Sequence, residues 1–182
     1  MTAIIILPGI GGSGDAHWQT IWQKSDPSMM RFQSKNWDNP DLSDWIAALD
    51  RTIEQTAEAP ILVAHSLACL LVAHWAVHGA HRPVRGAFLV GVPDPDGPSF
   101  PAVEAASFRA VPKEALPFPA LVVASDDDPY GTISYAQSRA ATWRAGFVVA
   151  GTLGHMNSAS NLGDWPLGAI LLEAFTAGTT RR

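Results

Sequence analysis

A single cysteine, Cys69, stands among 182 residues, so no internal disulfide can form. Cysteine usage this sparse fits a reducing compartment, and Cys69 itself reads as a small buried side chain. Charge is also scarce. Charged residues make up 16% of the chain, with 12 Lys+Arg against 17 Asp+Glu for a net charge of -5. No basic cluster occurs apart from Arg181-Arg182, which argues against nucleic acid or an anionic membrane as a partner. Long apolar runs are missing too. The longest, from Ile61 to Val77, is broken by His65, Ser66 and His74 and makes a poor membrane span. The opening Met1-Thr-Ala-Ile-Ile-Ile-Leu-Pro-Gly lacks the basic segment of a signal peptide, and a cytoplasmic setting is expected. No internal repeat, low-complexity block or linker divides the chain. One domain over residues 1–182 is expected, with a flexible tail from about residue 177.

What the chain does contain is short β-branched runs alternating with helical patterns. Strands are predicted at Ala3–Leu7, Met30–Ser34, Ile61–Ala64, Gly86–Val90, Ala120–Ala124 and Phe147–Val149. Several are apolar at successive positions, which suits strands covered on both faces. Helices are predicted to begin near Asp15, Asp41, Leu67, Thr132 and Trp165. The second is the clearest, with Asp41 or Ser43 as its cap and Trp45, Ile46, Leu49 and Ile53 as its apolar stripe. Such alternation implies right-handed crossovers and a mostly parallel six-stranded sheet with helices on both faces. The expected strand order is 2-1-3-4-5-6. The proline-rich stretch from Val92 to Pro119 reads as a surface excursion with room for one short helix.

The run Ile61-Leu-Val-Ala-His-Ser-Leu-Ala-Cys passes from strand to helix with no loop residues, and Ser66 sits at the corner. That arrangement is a nucleophile elbow: the tight turn strains the serine backbone and lifts its hydroxyl above the sheet. Residues two before and two after must be tiny, and here they are Ala64 and Ala68. A serine hydroxyl is a weak nucleophile that needs a base, and the base needs an orienting acid. The strand ending at Ala124 empties into Ser125-Asp-Asp-Asp-Pro-Tyr, and the one ending at Val149 into Ala150-Gly-Thr-Leu-Gly-His. Serine, carboxylate and imidazole therefore follow in the order used by α/β hydrolases. Asp128 is the preferred acid because Pro129 fixes its backbone, with Asp126 and Asp127 as alternatives. His155 is the candidate base.

Developing negative charge on a substrate oxygen needs preformed N–H donors. The Leu67 amide is one candidate. The other is the Ile10 amide, in the glycine-rich loop Pro8-Gly-Ile-Gly-Gly-Ser-Gly. Gly9, Gly11, His17, Trp18, His65 and Trp165 neighbour these loops and are candidate pocket residues; Trp18 and Trp165 would form an apolar acyl pocket. Gly9-x-Gly11-x-x-Gly14 also matches a dinucleotide fingerprint, with Asp38 at about the right distance, so a nicotinamide-dependent oxidoreductase is an alternative. A non-catalytic interaction protein on the same fold is another. His74 and His78, with His81 close by, have helical spacing for a metal, but no acidic or cysteine ligand accompanies them. No metal or organic cofactor is expected.

Taken together, these motifs resemble the small serine hydrolases related to retinoblastoma-binding protein nine. The likeness runs nearly end to end. It includes Leu7-Pro-Gly-Ile-Gly-Gly-Ser-Gly, His17-Trp-Gln with Trp22, and Asn36-Trp-Asp-Asn-Pro. It continues through Val63-Ala-His-Ser-Leu, Ser125-Asp-Asp-Asp-Pro-Tyr, Gly154-His-Met-Asn and Gly163-Asp-Trp-Pro. The resemblance implies a compact α/β-hydrolase fold without a large lid domain, a triad on Ser66, Asp128 and His155, and a small-molecule acyl substrate. It does not supply that substrate or a protein partner. The chain departs from the family at Ala68, where glycine is usual, and at Asp127, which adds a carboxylate beside the presumed acid.

Overall fold

Residues along each strand alternate between two apolar environments, and this alternation builds the molecule. The structure is a computed structural model that describes residues 2–80 and 82–179. Six strands run in chain order as β1 (Ile4–Leu7), β2 (Met30–Arg31), β3 (Ile61–His65), β4 (Gly86–Val90), β5 (Ala120–Ala124) and β6 (Gly146–Val149). Every pairing is parallel, as the alternation of elements implied, and the order across the sheet is the expected β2-β1-β3-β4-β5-β6. Five α-helices accompany them among the described residues: α1 (Trp18–Ser25), α2 (Leu42–Glu54), α3 (Leu67–His78) and α4 (Ile133–Trp143) between strands, and α5 (Pro166–Thr179) after β6.

Odd and even strand positions go to opposite faces because the side-chain period of a strand is two. Ile5, Leu7, Leu62, Ala64, Ala87, Leu89, Val122 and Ala124 pack with α2, α3 and α4. Ile6, Ile61, Val63, Phe88, Val90 and Val123 pack with Trp18 and Trp22 of α1 and with Leu172 of α5. Residues of β3 and β4 are buried throughout, as expected for central strands covered on both sides. Helix α3 follows the same logic. It is apolar on all sides and buried from Leu67 to Trp75, wedged between the sheet, α2 and the one-turn 3-10 helix Ala106–Phe108. Helix α2 buries Trp45, Leu49 and Ile53, with Ile46 half-buried at the edge of the stripe, and Asp41 caps it by accepting from the Asp44 amide.

Some boundaries differ from those read from sequence. Strand β2 stops at Arg31, since the chain turns away through a hydrogen-bonded Ser34–Asn36 corner. Helix α1 starts at Trp18 rather than near Asp15, because the His17 ring, not the Asp15 carboxylate, caps it. Helix α5 opens on Pro166, whose missing N–H costs nothing at a first helical position. Ala177 to Thr179 belong to α5, and the remainder of the tail expected from residue 177 lies outside the described residues, as does His81. Among the described residues no helix is long and apolar enough to cross a membrane.

Candidate active site

Three strand ends converge on one point. Ser66, between β3 and α3, has φ 56° and ψ -126°, a left-handed conformation held by the Ser66 amide donating to the Val90 carbonyl at 2.9 Å. Ala64 and Ala68 are both fully buried where strand and helix backbones converge, so the elbow closes with alanine in the place of glycine. His155 Nδ1 lies 2.8 and 2.9 Å from the two carboxylate oxygens of Asp128, and its Nε2 lies 2.8 Å from Ser66 Oγ. A carboxylate only accepts, so Nδ1 carries the proton and Nε2 is left to accept from the serine hydroxyl. The Tyr130 amide donates to Asp128 Oδ1 at 2.9 Å, and the Tyr130 ring stacks against the His155 imidazole with centroids 4.2 Å apart. Asp128 and His155 are both buried.

Of the three consecutive carboxylates, only Asp128 reaches the imidazole. Asp127 instead joins two loops. Its Oδ1 accepts from the Gly154 amide at 2.7 Å and from the Ser125 hydroxyl at 2.9 Å. Ser125 Oγ in turn accepts from the Leu153 amide at 2.8 Å. These bonds tie the Asp128 loop to the loop that carries His155, and the Gly154 bond foremost lowers the Asp127 pKa. Asp126 is exposed, and its amide donates to the Gly151 carbonyl.

The glycine loop abuts the elbow. A Cβ on Gly9 would lie 2.9 Å from Ser66 Cβ and 3.1 Å from the His65 carbonyl oxygen, contacts that only glycine avoids. The loop then makes one 3-10 turn over Ile10–Gly12 with Gly11 and Gly12 at positive φ. Leu67 is the first residue of α3 and Ile10 the first of that turn, so neither amide has an acceptor within its own helix. Two polar side chains, one buried and one half-buried, fix the loop from behind. Gln19 donates to the carbonyls of Leu7 and Val63, linking β1 to β3, and accepts from Ser13 Oγ. Arg31 donates to the Gly12 carbonyl at 2.8 Å and to Thr20 Oγ1 at 2.7 Å.

A cavity of about 660 Å³ opens above Ser66. Ile10, Gly11, His17, His65, Leu67 and His155 are on its wall, together with Phe100, Glu104, Tyr130 and Asn157. Gly9, Trp18 and Trp165 are not on this wall, which corrects the expected pocket. Gly9 is pressed onto the elbow, while Trp18 and Trp165 are buried, Trp18 edge-on to Trp22 and Trp165 stacked on it. Trp18 Nε1 donates to the Met156 carbonyl at 2.8 Å, so this tryptophan braces the His155 loop instead of meeting a ligand. His65 Nε2 donates to the His155 carbonyl at 2.9 Å. Burial holds the His65 pKa well below its ordinary value, with the neighbouring His155 and His17 adding to the effect. Burial likewise lowers that of His17 to about 4. Both rings are therefore neutral at pH 7.

Tyr130, Gln19 and Arg31 escaped the sequence reading as site residues. Tyr130 follows the Asp-Pro pair directly, and Gln19 closes the His17-Trp-Gln motif, so both left a trace; Arg31 left none. The dinucleotide alternative has no geometric support. Gly14 lies four residues before α1, and Asp38 lies well beyond the end of β2 in an exposed turn. No cluster suited to a metal occurs among the described residues. His74 Nε2 is engaged with the Phe108 carbonyl at 3.2 Å.

Known proteins point the same way. No curated protein matches the chain by sequence. A YdeN-like hydrolase from Pectobacterium atrosepticum is 27% identical, with a TM-score of 0.86 over 98% of this chain and 92% of its own. The ydeN gene product of B. subtilis is 20% identical, with a TM-score of 0.78 over 97% and 100%. An esterase domain from a Rhodothermus marinus protein shares the fold at 16% identity, with a TM-score of 0.70 over 97% and 87%. The profile of the serine hydrolase family matches residues 4–174, and the chain is a member of that family, on an α/β-hydrolase fold.

Proposed function

We propose that this hydrolase cleaves a small carboxylic ester, amide or thioester, an ester foremost, through an acyl-enzyme on Ser66. The observation that carries the reading is the unbroken relay from Ser66 Oγ to His155 Nε2 at 2.8 Å and from Nδ1 to Asp128 at 2.8 Å. His155 takes the hydroxyl proton as Ser66 Oγ bonds to the carbonyl carbon, and the carbonyl π electrons move onto its oxygen. The Leu67 and Ile10 amides receive that oxyanion, each donor being worth about 2.7–4 kcal/mol in such sites. Collapse expels the leaving group, which takes its proton from Nε2. Water then repeats the sequence, attacking the acyl carbon and releasing the acid and free Ser66. Asp128 holds the tautomer throughout and stabilises the imidazolium.

The cycle uses no metal or organic cofactor. The substrate is a small molecule; neither nucleic acid nor membrane is part of the reading. A cytoplasmic setting belongs to the same proposal and rests on cysteine usage, a single residue in 182. The test is labelling with a fluorophosphonate probe. Wild type is expected to be labelled at Ser66 and Ser66→Ala to remain unlabelled while unfolding at a similar temperature. A probe that labels both proteins equally, or neither, defeats the proposal.

A further inference from the structure

The cavity above Ser66 is short of charge in a one-sided way. Among the described residues on its wall, Glu104 is the only aspartate, glutamate, lysine or arginine. Of the three wall histidines, His155 is committed to Ser66 and Asp128, and His17 and His65 are kept neutral by burial. Glu104 makes no hydrogen bond or ion pair with the described residues, although arginines elsewhere do pair with acids, as Arg109 does with Asp96. It is an exposed residue of the excursion between β4 and β5, which also contributes Phe100 to the wall, and Tyr130 lines the cavity too. An unpaired carboxylate with aromatic rings on the same wall is the chemistry that receives a cation: attraction to the anion is joined by attraction to ring faces. The same wall disfavours a carboxylate or phosphate, since no lysine or arginine lines it.

From this we infer that Glu104 sets substrate charge, favouring esters that carry an ammonium group and excluding anionic ones. The inference rests on the acyl-enzyme reading and names its substrate class. A unit charge facing Glu104 across a partly hydrated cavity corresponds to about a five- to tenfold preference in kcat/KM. The preference must fade as salt rises, because screening at about 1 M reaches within a few ångströms.

The experiment compares esters matched in shape. One series varies the acyl side: para-nitrophenyl esters of γ-trimethylammonio-butanoate, of its neutral tert-butyl isostere and of glutarate. The other varies the alcohol: butyrylcholine against the butyrate of the tert-butyl isostere of choline. Wild type is expected to prefer the cation about five- to tenfold in at least one series and to turn over glutarate most slowly. In Glu104→Gln, and in wild type near 1 M salt, the cation-to-neutral ratio is expected to fall towards one. A ratio of one or less in both series, or a ratio that Glu104→Gln does not change, overturns the inference. The failure modes separate cleanly: Ser66 labelled by fluorophosphonate with no charge preference refutes the role of Glu104 alone, whereas an unlabelled Ser66 refutes both readings.

Discussion

Gly9 shows how much of this site depends on single atoms. The glycine loop lies against Ser66 only because position 9 has no Cβ, with 2.9 Å separating the missing atom from Ser66 Cβ. Gly9→Ala must therefore push the loop off the elbow and carry the Ile10 amide with it. Loss of that donor predicts a fall in kcat of about a hundred- to a thousandfold, with KM changed far less. Steady-state kinetics on para-nitrophenyl butyrate reads this directly, and an unaltered kcat would remove Ile10 from the oxyanion site. The residues of the relay were legible because serine, carboxylate and imidazole end three separate strands in a telling order. Asp127 was legible only as an extra carboxylate. Its partner is the Gly154 amide, and a backbone donor 27 residues away leaves no mark in composition or spacing. Trp18 and Trp165 misled for the opposite reason: nearness in sequence to a loop does not say which side of it a large ring occupies.

Helices and strands were readable wherever one physical term dominated. Runs of successive apolar residues marked the strands, and their alternation with helical patterns implied the parallel sheet. Helix α1 was harder, since Asp15 is the better capping residue by chemistry, yet His17 Nδ1 accepts from the Gln19 amide at 3.2 Å. That choice has a consequence for pH. The His17 pKa falls from 6.5 to about 4 in the fold. Between those values the unfolded chain binds a proton that the native chain does not, so stability is complete above about pH 6.5 and drains away as pH falls towards 4. The shift corresponds to about 3 kcal/mol. His17→Asn keeps a capping acceptor and removes the titration. Thermal melts of this variant between pH 4 and 7 are expected to show a shallower decline than wild type. Parallel declines would mean that His17 is not the group responsible.

At the scale of the whole molecule, the sheet distributes the relay unevenly. Ser66 follows β3, an interior strand with every residue buried, and Asp128 follows β5. His155 follows β6, an edge strand, where Gly146 and Val149 are exposed and one backbone edge has no neighbouring strand among the described residues. Segments with few buried apolar contacts open at lower free energy than the global transition. The loop beyond β6 is held by the Asp126–Gly151, Asp127–Gly154 and Ser125–Leu153 bonds, by His65 on the His155 carbonyl and by Trp18 on the Met156 carbonyl. In a urea titration, ester turnover is accordingly expected to vanish before the far-ultraviolet circular dichroism of the central elements changes. Coincident curves would mean that β6 opens only with the rest.

The molecule thus hangs its attacking oxygen on an interior strand and its proton carrier on an edge strand. A ligand, ion or neighbouring protein that settled along the free margin of the last strand could silence turnover without approaching the serine, by letting the imidazole drift while the scaffold stays intact.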